Sequence, residues 1–204
     1  MARPRSFDED KALDAAVACF WSRGLEATSV RDLAESMHIN GPSLYNAFGD
    51  KRALFAQALE RYATRTMRER IARLERQRDP KTAIRTFVED AIDRSVADPH
   101  RRGCLLVNSA LEVAPHDAEL RSRIAAYLDE IAAFFRRSIV AAQAAGTVPR
   151  KVDAVDAARL LLGVVLGIRV LARTNPEREL LEGVARPALA LLDDVRPSRK
   201  RSSV

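Results

Sequence analysis

Residues 28–48 constrain the fold of this chain more than any other stretch, because they predict two short helices separated by a tight turn. Ser29 and Asp32 have the spacing of a capping box, in which each side chain satisfies a backbone N–H at a helix start. Asn40 can cap a second helix, and Pro42 fits only the first turn of a helix. The pattern therefore predicts helix, turn and helix in about twenty residues, the size of a DNA-reading helix-turn-helix.

Both predicted helices carry apolar residues at helical spacing. Val30, Leu33 and Met37 form one face of the first helix, and Leu44 and Phe48 belong to the second. The alternative interpretation is an ordinary helical hairpin in a protein core, since capped short helices are common. The flanking sequence favours a DNA-reading domain, called the reading head below. The reason is that a further helix with apolar residues begins directly after the second one.

The composition predicts an all-helical protein. Hydrophobic residues make up 47% of the 204 residues, glycine occurs only eight times, and no run of alternating β-branched residues is present. The longest apolar run, 160–168, is too short to span a bilayer. The first ten residues lack the apolar core of a secretory signal. We therefore expect a cytoplasmic protein without a membrane segment.

The net charge of +6 does not by itself indicate a nucleic-acid partner. The first 52 residues contain seven Lys or Arg and eight Asp or Glu, so the predicted reading head is not the basic part of the chain. The positions of individual cations matter more for phosphate binding than the net charge does, because the acidic residues are expected to cap helix starts. Lys51 and Arg52 are predicted to face phosphates. Arg3 and Arg5 form a short basic arm that either reaches phosphates or the minor groove or is a disordered, solvated terminus.

The segment from Phe7 to Leu59 resembles the DNA-binding domain of the TetR-type transcriptional regulators. That family commonly reads Thr-Ser/Thr-x-x-x-Ile/Leu-Ala, then a turn, then Leu-Tyr-x-x-Phe-x-x-Lys-x-x-Leu. The matching residues are Thr28-Ser29, Leu33-Ala34, Leu44-Tyr45, Phe48, Lys51 and Leu54. The match is specific because its register holds through four predicted helices.

His38 departs from the family pattern, which usually has glycine in this turn. Glycine suits the left-handed end of a helix, and histidine is among the few other residues that tolerate a positive φ. We therefore expect His38 to close the first helix in a left-handed conformation. A phosphate contact or a pH sensor is the alternative interpretation of this residue.

The resemblance implies an all-α fold with three parts: a three-helix helix-turn-helix domain at 1–52, a helical ligand-binding and dimerisation domain at 53–195, and a basic, disordered tail at 196–204. It also implies a dimeric regulator, most often a repressor, released from a palindromic operator in double-stranded DNA by a small-molecule ligand or by cysteine modification. No catalytic set, cofactor motif or metal-ligand cluster is recognisable, so an enzyme is not expected. The alternative is a helical ligand-binding or scaffold protein that has lost specific DNA binding.

The second helix of the motif, 41–48, is expected to enter the major groove. Ser43 and Asn46 are the candidates for base edges, since asparagine can pair with adenine. Phosphate contacts are expected from Thr28, Tyr45 and Lys51. The complete predicted DNA-binding set is Thr28, Ser29, Gly41, Pro42, Ser43, Tyr45, Asn46 and Lys51.

Residues 103–106, Gly-Cys-Leu-Leu, resemble a subgroup of the family in which some members sense oxidants or electrophiles with this cysteine. Helical spacing would place Cys104, Asn108 and Leu111 or Glu112 on one face. The alternatives are that Cys104 is only a core residue, or that it binds a metal with two histidines. No standard zinc spacing supports the latter.

The central helix predicted at 118–144 contributes further pocket candidates, Tyr127, Ile131 and Phe134, which are otherwise core residues. Two helices at 152–173 and 177–195 are predicted to form a homodimer interface. The first is apolar nearly all round, and glycines at positions 163 and 167 leave room for a close helix. The alternative is that the pair merely closes the monomer core.

Overall fold

The computed structural model describes residues 7–193, and the regular structure in this range is entirely helical. The helices are α1 (Glu9–Arg23), α2 (Val30–Met37), α3 (Gly41–Phe48), α4 (Lys51–Ala63), α5 (Glu69–Gln77), α6 (Pro80–Val96), α7 (Leu105–Glu112), α8 (Ala118–Ala144), α9 (Ala154–Leu171) and α10 (Arg178–Ala190). The all-α prediction is confirmed. The predicted basic arm with Arg3 and Arg5, and the tail at 196–204, lie outside the described residues.

The predicted capping box at the start of α2 is present. Asp32 N donates to Ser29 Oγ over 3.1 Å, and Ser29 N donates to Asp32 Oδ2 over 2.9 Å. At the start of α3, Ser43 N donates to Asn40 Oδ1 over 2.8 Å. His38 has φ 55° and ψ 39°, so the left-handed helix end is confirmed. These bonds satisfy N–H groups that lack partners within the helices.

The start of α1 is fixed by a side-chain cap. Asp8 is the capping residue, and its Oδ1 accepts hydrogen bonds from the backbone N–H groups of Asp10 and Lys11 at 3.1 and 3.2 Å. A carboxylate suits this position because the helix dipole is positive there. The helix consequently begins at Glu9.

The reading head is built by α1 to α3 together with the first half of α4. Phe20 of α1 and Phe55 of α4 pack edge to face with ring centroids 5.0 Å apart, and both are completely buried. Leu33 of α2 and Leu44 of α3 are also completely buried. The core of the head therefore extends past residue 52 into α4.

The helix that begins at Lys51 continues to Gln77 and contains one π-helical segment, Thr64–Arg68, between α4 and α5. Such segments are rare and often mark functional sites. Arg68 at its end binds Glu130 of α8 with a bidentate ion pair, each bond 2.7 Å long. The π-helical segment therefore lies where the helix formed by α4 and α5, called the connecting helix below, meets the C-terminal bundle.

The C-terminal bundle packs α6, α8 and α9 around an aromatic cluster. Phe87, Phe134 and Phe135 have ring centroids 5.2 to 5.3 Å apart and are almost completely buried. Burial of such a side chain contributes roughly 1.5–3 kcal/mol. Helix α10 packs on α9 and α6. The helices predicted at 152–173 and 177–195 are present but shorter, as α9 and α10.

Candidate DNA-binding surface and ligand cavity

The outer face of α3 carries the residues predicted to read DNA. Leu44 and Phe48 are buried and fix the inner face, whereas Pro42, Tyr45 and Asn46 are exposed. Half of the Tyr45 surface is accessible, although its ring is large and apolar. The helix therefore presents a phenol and an amide outward on a rigid support. Gly41 and Ser43 are partly exposed at the start of α3, and Ser29 is exposed at the start of α2.

Thr28 and Lys51, both predicted phosphate contacts, make hydrogen bonds inside the head. The Thr28 hydroxyl donates to Gly24 O over 2.6 Å, and Thr28 is 1% exposed. The Lys51 ammonium donates to Leu25 O over 3.0 Å and to Thr28 O over 3.2 Å. A phosphate contact through the Thr28 hydroxyl is incompatible with this burial, so that expectation is corrected. Lys51 retains one N–H for an outside acceptor.

Arg52, also expected to face phosphates, points instead to the C-terminal bundle. Its guanidinium binds both oxygens of Asp117 at 2.6 and 2.9 Å and Glu119 at 2.8 Å. The hydrogen bond from Arg52 holds the pKa of Asp117 well below its usual range. Arg52 therefore ties the reading head to the start of α8.

A cavity of about 300 Å³ lies where the reading head meets the bundle. One wall comes from the head and connecting helix, and the others come from α6 to α9. The apolar part of the lining includes Trp21, Tyr62, Phe87, Leu106, Ile131 and Val165. The volume is at the lower end of the range for small-molecule sites.

Cys104 and Ile131 are the predicted ligand residues that line this cavity. Cys104 is the residue before α7, with an extended backbone, and its Sγ lies 3.6 Å from the Tyr62 hydroxyl. Burial raises the pKa of Tyr62, so this residue stays a neutral phenol. Both cysteines of the chain are free and partly buried.

The other residues predicted to share a face with Cys104 do not line the cavity. Asn108 donates to Arg102 O over 2.9 Å and accepts from Arg173 over 3.0 Å. Leu111 is 68% exposed. The face prediction is wrong because Cys104 is the N-cap of α7 and has an extended backbone, so its side chain does not follow the helical spacing of the residues after it.

Glu112 and Tyr127 also lie outside the cavity lining. Glu112 Oε1 accepts a hydrogen bond from Glu26 N over 2.9 Å. The Tyr127 hydroxyl donates to Glu60 over 2.8 Å, and burial together with this bond raises its pKa to about 12. Phe134 belongs to the aromatic cluster of the bundle. For Tyr127 and Phe134, the structure therefore favours the core interpretation over the pocket interpretation.

Two arginines of the cavity stack on aromatic rings, a contact that the sequence did not predict. The Arg102 guanidinium stacks over the Trp21 ring with its carbon 4.2 Å from the ring centroid. Arg70 lies over Phe87 in the same way at 4.0 Å. Trp21 has the apolar spacing of a core residue, and only tertiary packing brings it beside the loop that precedes α7.

The described residues contain neither a metal-binding cluster nor a membrane-spanning helix. Within residues 7–193 no three side chains of His, Cys, Asp or Glu come together as a metal site, so His100, Cys104 and His116 do not form one. No helix of the described range is both long and apolar enough to cross a membrane.

The fold is that of a helix-turn-helix domain packed on a helical bundle, with a cavity where the two meet. The family described as "Bacterial regulatory proteins, tetR family" matches residues 12–58, and the family described as "Tetracyclin repressor-like, C-terminal domain" matches residues 80–187. The chain therefore belongs to the TetR family of transcriptional regulators and is not an enzyme.

Named relatives match over almost the whole chain. The HTH-type transcriptional repressor ComR of Escherichia coli K12 is 27% identical over 190 residues, covering 93% of this chain and 90% of ComR. The regulator YezE of Bacillus subtilis 168 is 29% identical over 195 residues, covering 95% of this chain and all of YezE. A solved cysteine mutant of the TetR family regulator CifR, complexed with 26bp double-strand operator DNA, is 33% identical. Its TM-score is 0.83, with 94% of this chain and 100% of that chain covered.

Proposed function

We propose that this chain is one subunit of a dimeric repressor that binds a palindromic operator. It would leave the operator when a small molecule enters the cavity or reacts with Cys104. The reading head is the domain predicted at 1–52 extended by the first half of α4, and the rest of the range predicted at 53–195 forms the ligand-binding and dimerisation unit. Support comes from the CifR relative, which was solved with operator DNA, and from the exposed face of α3.

The proposed DNA contacts are made by residues that are exposed on α3 and around the starts of α2 and α3. Asn46 and Ser43 read base edges, and Tyr45 donates to a phosphate. Lys51 offers its remaining N–H, while Ser29, Gly41 and Pro42 surround the starts of α2 and α3, where backbone N–H groups attract phosphate. Thr28 is reassigned as a residue that holds the α1–α2 loop in position.

The proposed dimer is supported by an apolar stripe that runs along α9 and α10. Leu160 and Val170 of α9 are 43% and 44% exposed, and Leu191 beyond α10 is 51% exposed. Apart from its chain neighbours and the backbone of α9 itself, a Cβ atom added to Gly163 or Gly167 would meet no atom of the described chain within 4 Å. Large exposed apolar residues beside open glycine backbone suit close packing against the same stripe of a second copy.

One observation carries the regulatory part of the proposal. Trp21 of α1 and Tyr62 of α4 form one side of a cavity whose other sides belong to the C-terminal bundle. A ligand therefore contacts the reading head directly and biases its position. The coupling is reciprocal, so operator DNA must weaken ligand binding by the same factor as the ligand weakens operator binding.

The cysteine route is supported by the position of Cys104 in the cavity wall, beside the Tyr62 hydroxyl. An electrophile that enters the cavity meets this thiol and leaves a bulky group between the head and the bundle. Cys19 lies in α1, and burial raises the pKa of its thiol, which makes it less reactive. The proposed sensing subgroup rests on this geometry and on the Gly-Cys-Leu resemblance.

A mobility-shift experiment tests the proposal with DNA that flanks the coding region of this protein. Binding is measured at two salt concentrations with excess non-specific DNA, before and after N-ethylmaleimide. We expect specific, salt-sensitive binding that the electrophile releases in wild type and in Cys19→Ser but not in Cys104→Ser. Release that persists in Cys104→Ser would remove the cysteine route. Failure to select any operator, also from random DNA, would favour the scaffold alternative.

A further inference from the structure

We propose that the cavity recognises a small organic anion, with a carboxylate as the recognised group and an apolar body of modest size. This inference rests on the proposed inducer role of the cavity and names the chemical class of the inducer. It is argued from the charges, the hydrogen-bond donors and the shape of the cavity.

The charges of the cavity wall are unbalanced. Four guanidinium groups contribute to the lining, from Arg70, Arg94, Arg102 and Arg169, against the single carboxylate of Asp98. Asp98 is already bound by Arg102, with a side-chain contact of 3.1 Å and a backbone hydrogen bond of 2.7 Å. Arg70 is paired with Asp90, which lies 3.0 Å from its Nε. Each acid is therefore matched to a cation.

Arg94 and Arg169 are the unmatched cations. Neither has a carboxylate partner in the described part of the chain, and Arg169 donates only to the Ser95 hydroxyl over 3.2 Å. Their charges also act on Arg70. Burial lowers the pKa of Arg70 to about 10 despite the attraction of Asp90, and repulsion from Arg94 and Arg169 adds to the decrease. An anion in the cavity would relieve this repulsion.

The hydrogen-bonding groups of the wall are mainly donors. Arg70, Arg94, Arg102 and Arg169 contribute guanidinium groups, and Trp21, which also lines the cavity, has a buried indole Nε1 without an acceptor among residues 7–193. Guanidinium and indole groups have no acceptor atoms at all. Leaving such donors unsatisfied costs stability, so a ligand that supplies acceptor oxygens is favoured over one that supplies donors.

The apolar part of the cavity lining limits the uncharged part of the ligand. Phe87, Ile131 and Val165 present apolar surface, and the free volume of about 300 Å³ limits the ligand to a small body. Arg94 is exposed at the surface, whereas Arg70 is 5% exposed, so the cations extend from the surface to the interior. A carboxylate with a short aromatic or aliphatic tail fits both the small apolar volume and the row of cations.

Trp21 provides a direct readout, because it is the only tryptophan of the chain and lines the cavity. The full-length protein is titrated with benzoate, phenylacetate, hexanoate and octanoate, and with the corresponding neutral amides. Tryptophan fluorescence and thermal unfolding report binding. We expect saturable changes with at least one acid and none with its amide. We also expect the affinity for the acid to fall with rising ionic strength.

Matched variants test the assigned cations. Arg169→Gln and Arg94→Gln should each weaken binding of the acid about tenfold, as expected when a charge-assisted hydrogen bond is lost. Arg136→Gln, an exposed change on α8 outside the cavity, should leave the affinity unchanged. Equal binding of acid and amide, no response to any acid, or full affinity in the Arg94→Gln/Arg169→Gln double variant would overturn the proposal.

The fluorescence assay needs no DNA, so it separates this inference from the proposed regulator. Acid binding without operator binding would uphold the anion site and reject the repressor. Operator binding without acid binding would reject the anion site and uphold the repressor. Release of the operator by the acid, lost in Arg169→Gln, would support both.

Discussion

Glu112, the last residue of α7, accepts a hydrogen bond from the backbone N–H of Glu26 over 2.9 Å across 86 residues of sequence. Cys104 in the cavity wall directly precedes the same helix. Helix α7 therefore contacts the cavity at one end and the loop before α2 at the other. This is a short physical route from the cavity to the reading head.

Replacing Glu112 should weaken the coupling between cavity and operator. Glu112→Ala removes the acceptor for Glu26 N, so displacement of α7 no longer reaches the α1–α2 loop. We expect the ratio of operator affinities with and without N-ethylmaleimide to shrink about 2- to 30-fold, corresponding to about 0.5–2 kcal/mol. Glu112→Gln keeps an acceptor oxygen and should retain most of the ratio. An unchanged ratio in Glu112→Ala would exclude this route.

The same contact makes Gly24 sensitive to any side chain. Its φ is +83°, and an added Cβ would lie 2.7 Å from Glu112 Oε1. Gly24→Ala should cost about 1–3 kcal/mol of unfolding free energy from backbone strain, with the clash in addition. Gly146→Ala is the matched control, since Gly146 has φ +72° and open space around it in the described chain. Chemical denaturation should show the larger loss at Gly24, and Glu112→Ala should recover part of it. Equal losses at both glycines would mean that the Glu112 contact is unimportant.

The two exposed residues of α3 should separate base reading from phosphate binding. Asn46→Ala should relax the preference at one operator position by about 1–3 kcal/mol. Tyr45→Phe keeps the ring but loses the hydroxyl, so operator affinity should fall without a change in sequence preference. Binding to operators with single base-pair changes measures both effects. Wild-type behaviour of both variants would show that α3 is not the reading helix.

The apolar stripe of α9 should control the oligomeric state. Leu160→Glu places a charge at the proposed interface and should raise the dimer dissociation constant about 30-fold or more, corresponding to about 2 kcal/mol. Val140→Glu on α8 is the control, because Val140 is 53% exposed but lies outside the stripe. Analytical ultracentrifugation distinguishes the two. Dissociation caused equally by both variants, or by neither, would place the interface elsewhere.

Acid should weaken the start of α2 in a defined range. Hydrogen bonds from the Ser29 side chain and backbone, and then from Arg23, lower the pKa of Asp32 from 3.8 to about 2. The ionised carboxylate therefore stabilises the fold above about pH 4, and this contribution is lost as the pH falls through about 2. Asp32→Asn should reduce the pH dependence of the unfolding free energy in this range. Ser29→Ala should move the transition to higher pH. Unaltered acid unfolding in both variants would contradict the assignment.

The sequence alone determined the features that depend on near neighbours. The Ser29–Asp32 capping box, the Asn40 cap and the left-handed His38 each involve groups within a few residues, so their spacing in the chain nearly fixes their geometry. The helical spacing of the apolar residues in α8 likewise predicts which face of that helix is buried. These features were sufficient to predict the fold and the reading head.

Only the tertiary structure decided which distant groups meet. Arg52 binds Asp117 across 65 residues, and Trp21 meets Arg102, while Cys104 falls just outside the helix whose spacing was used to place it. Periodicity shows which face of a helix is buried but not the angle or offset at which two helices pack. The composition of the cavity depends on those angles, so its arginines and its tryptophan became recognisable as a site only in the folded molecule.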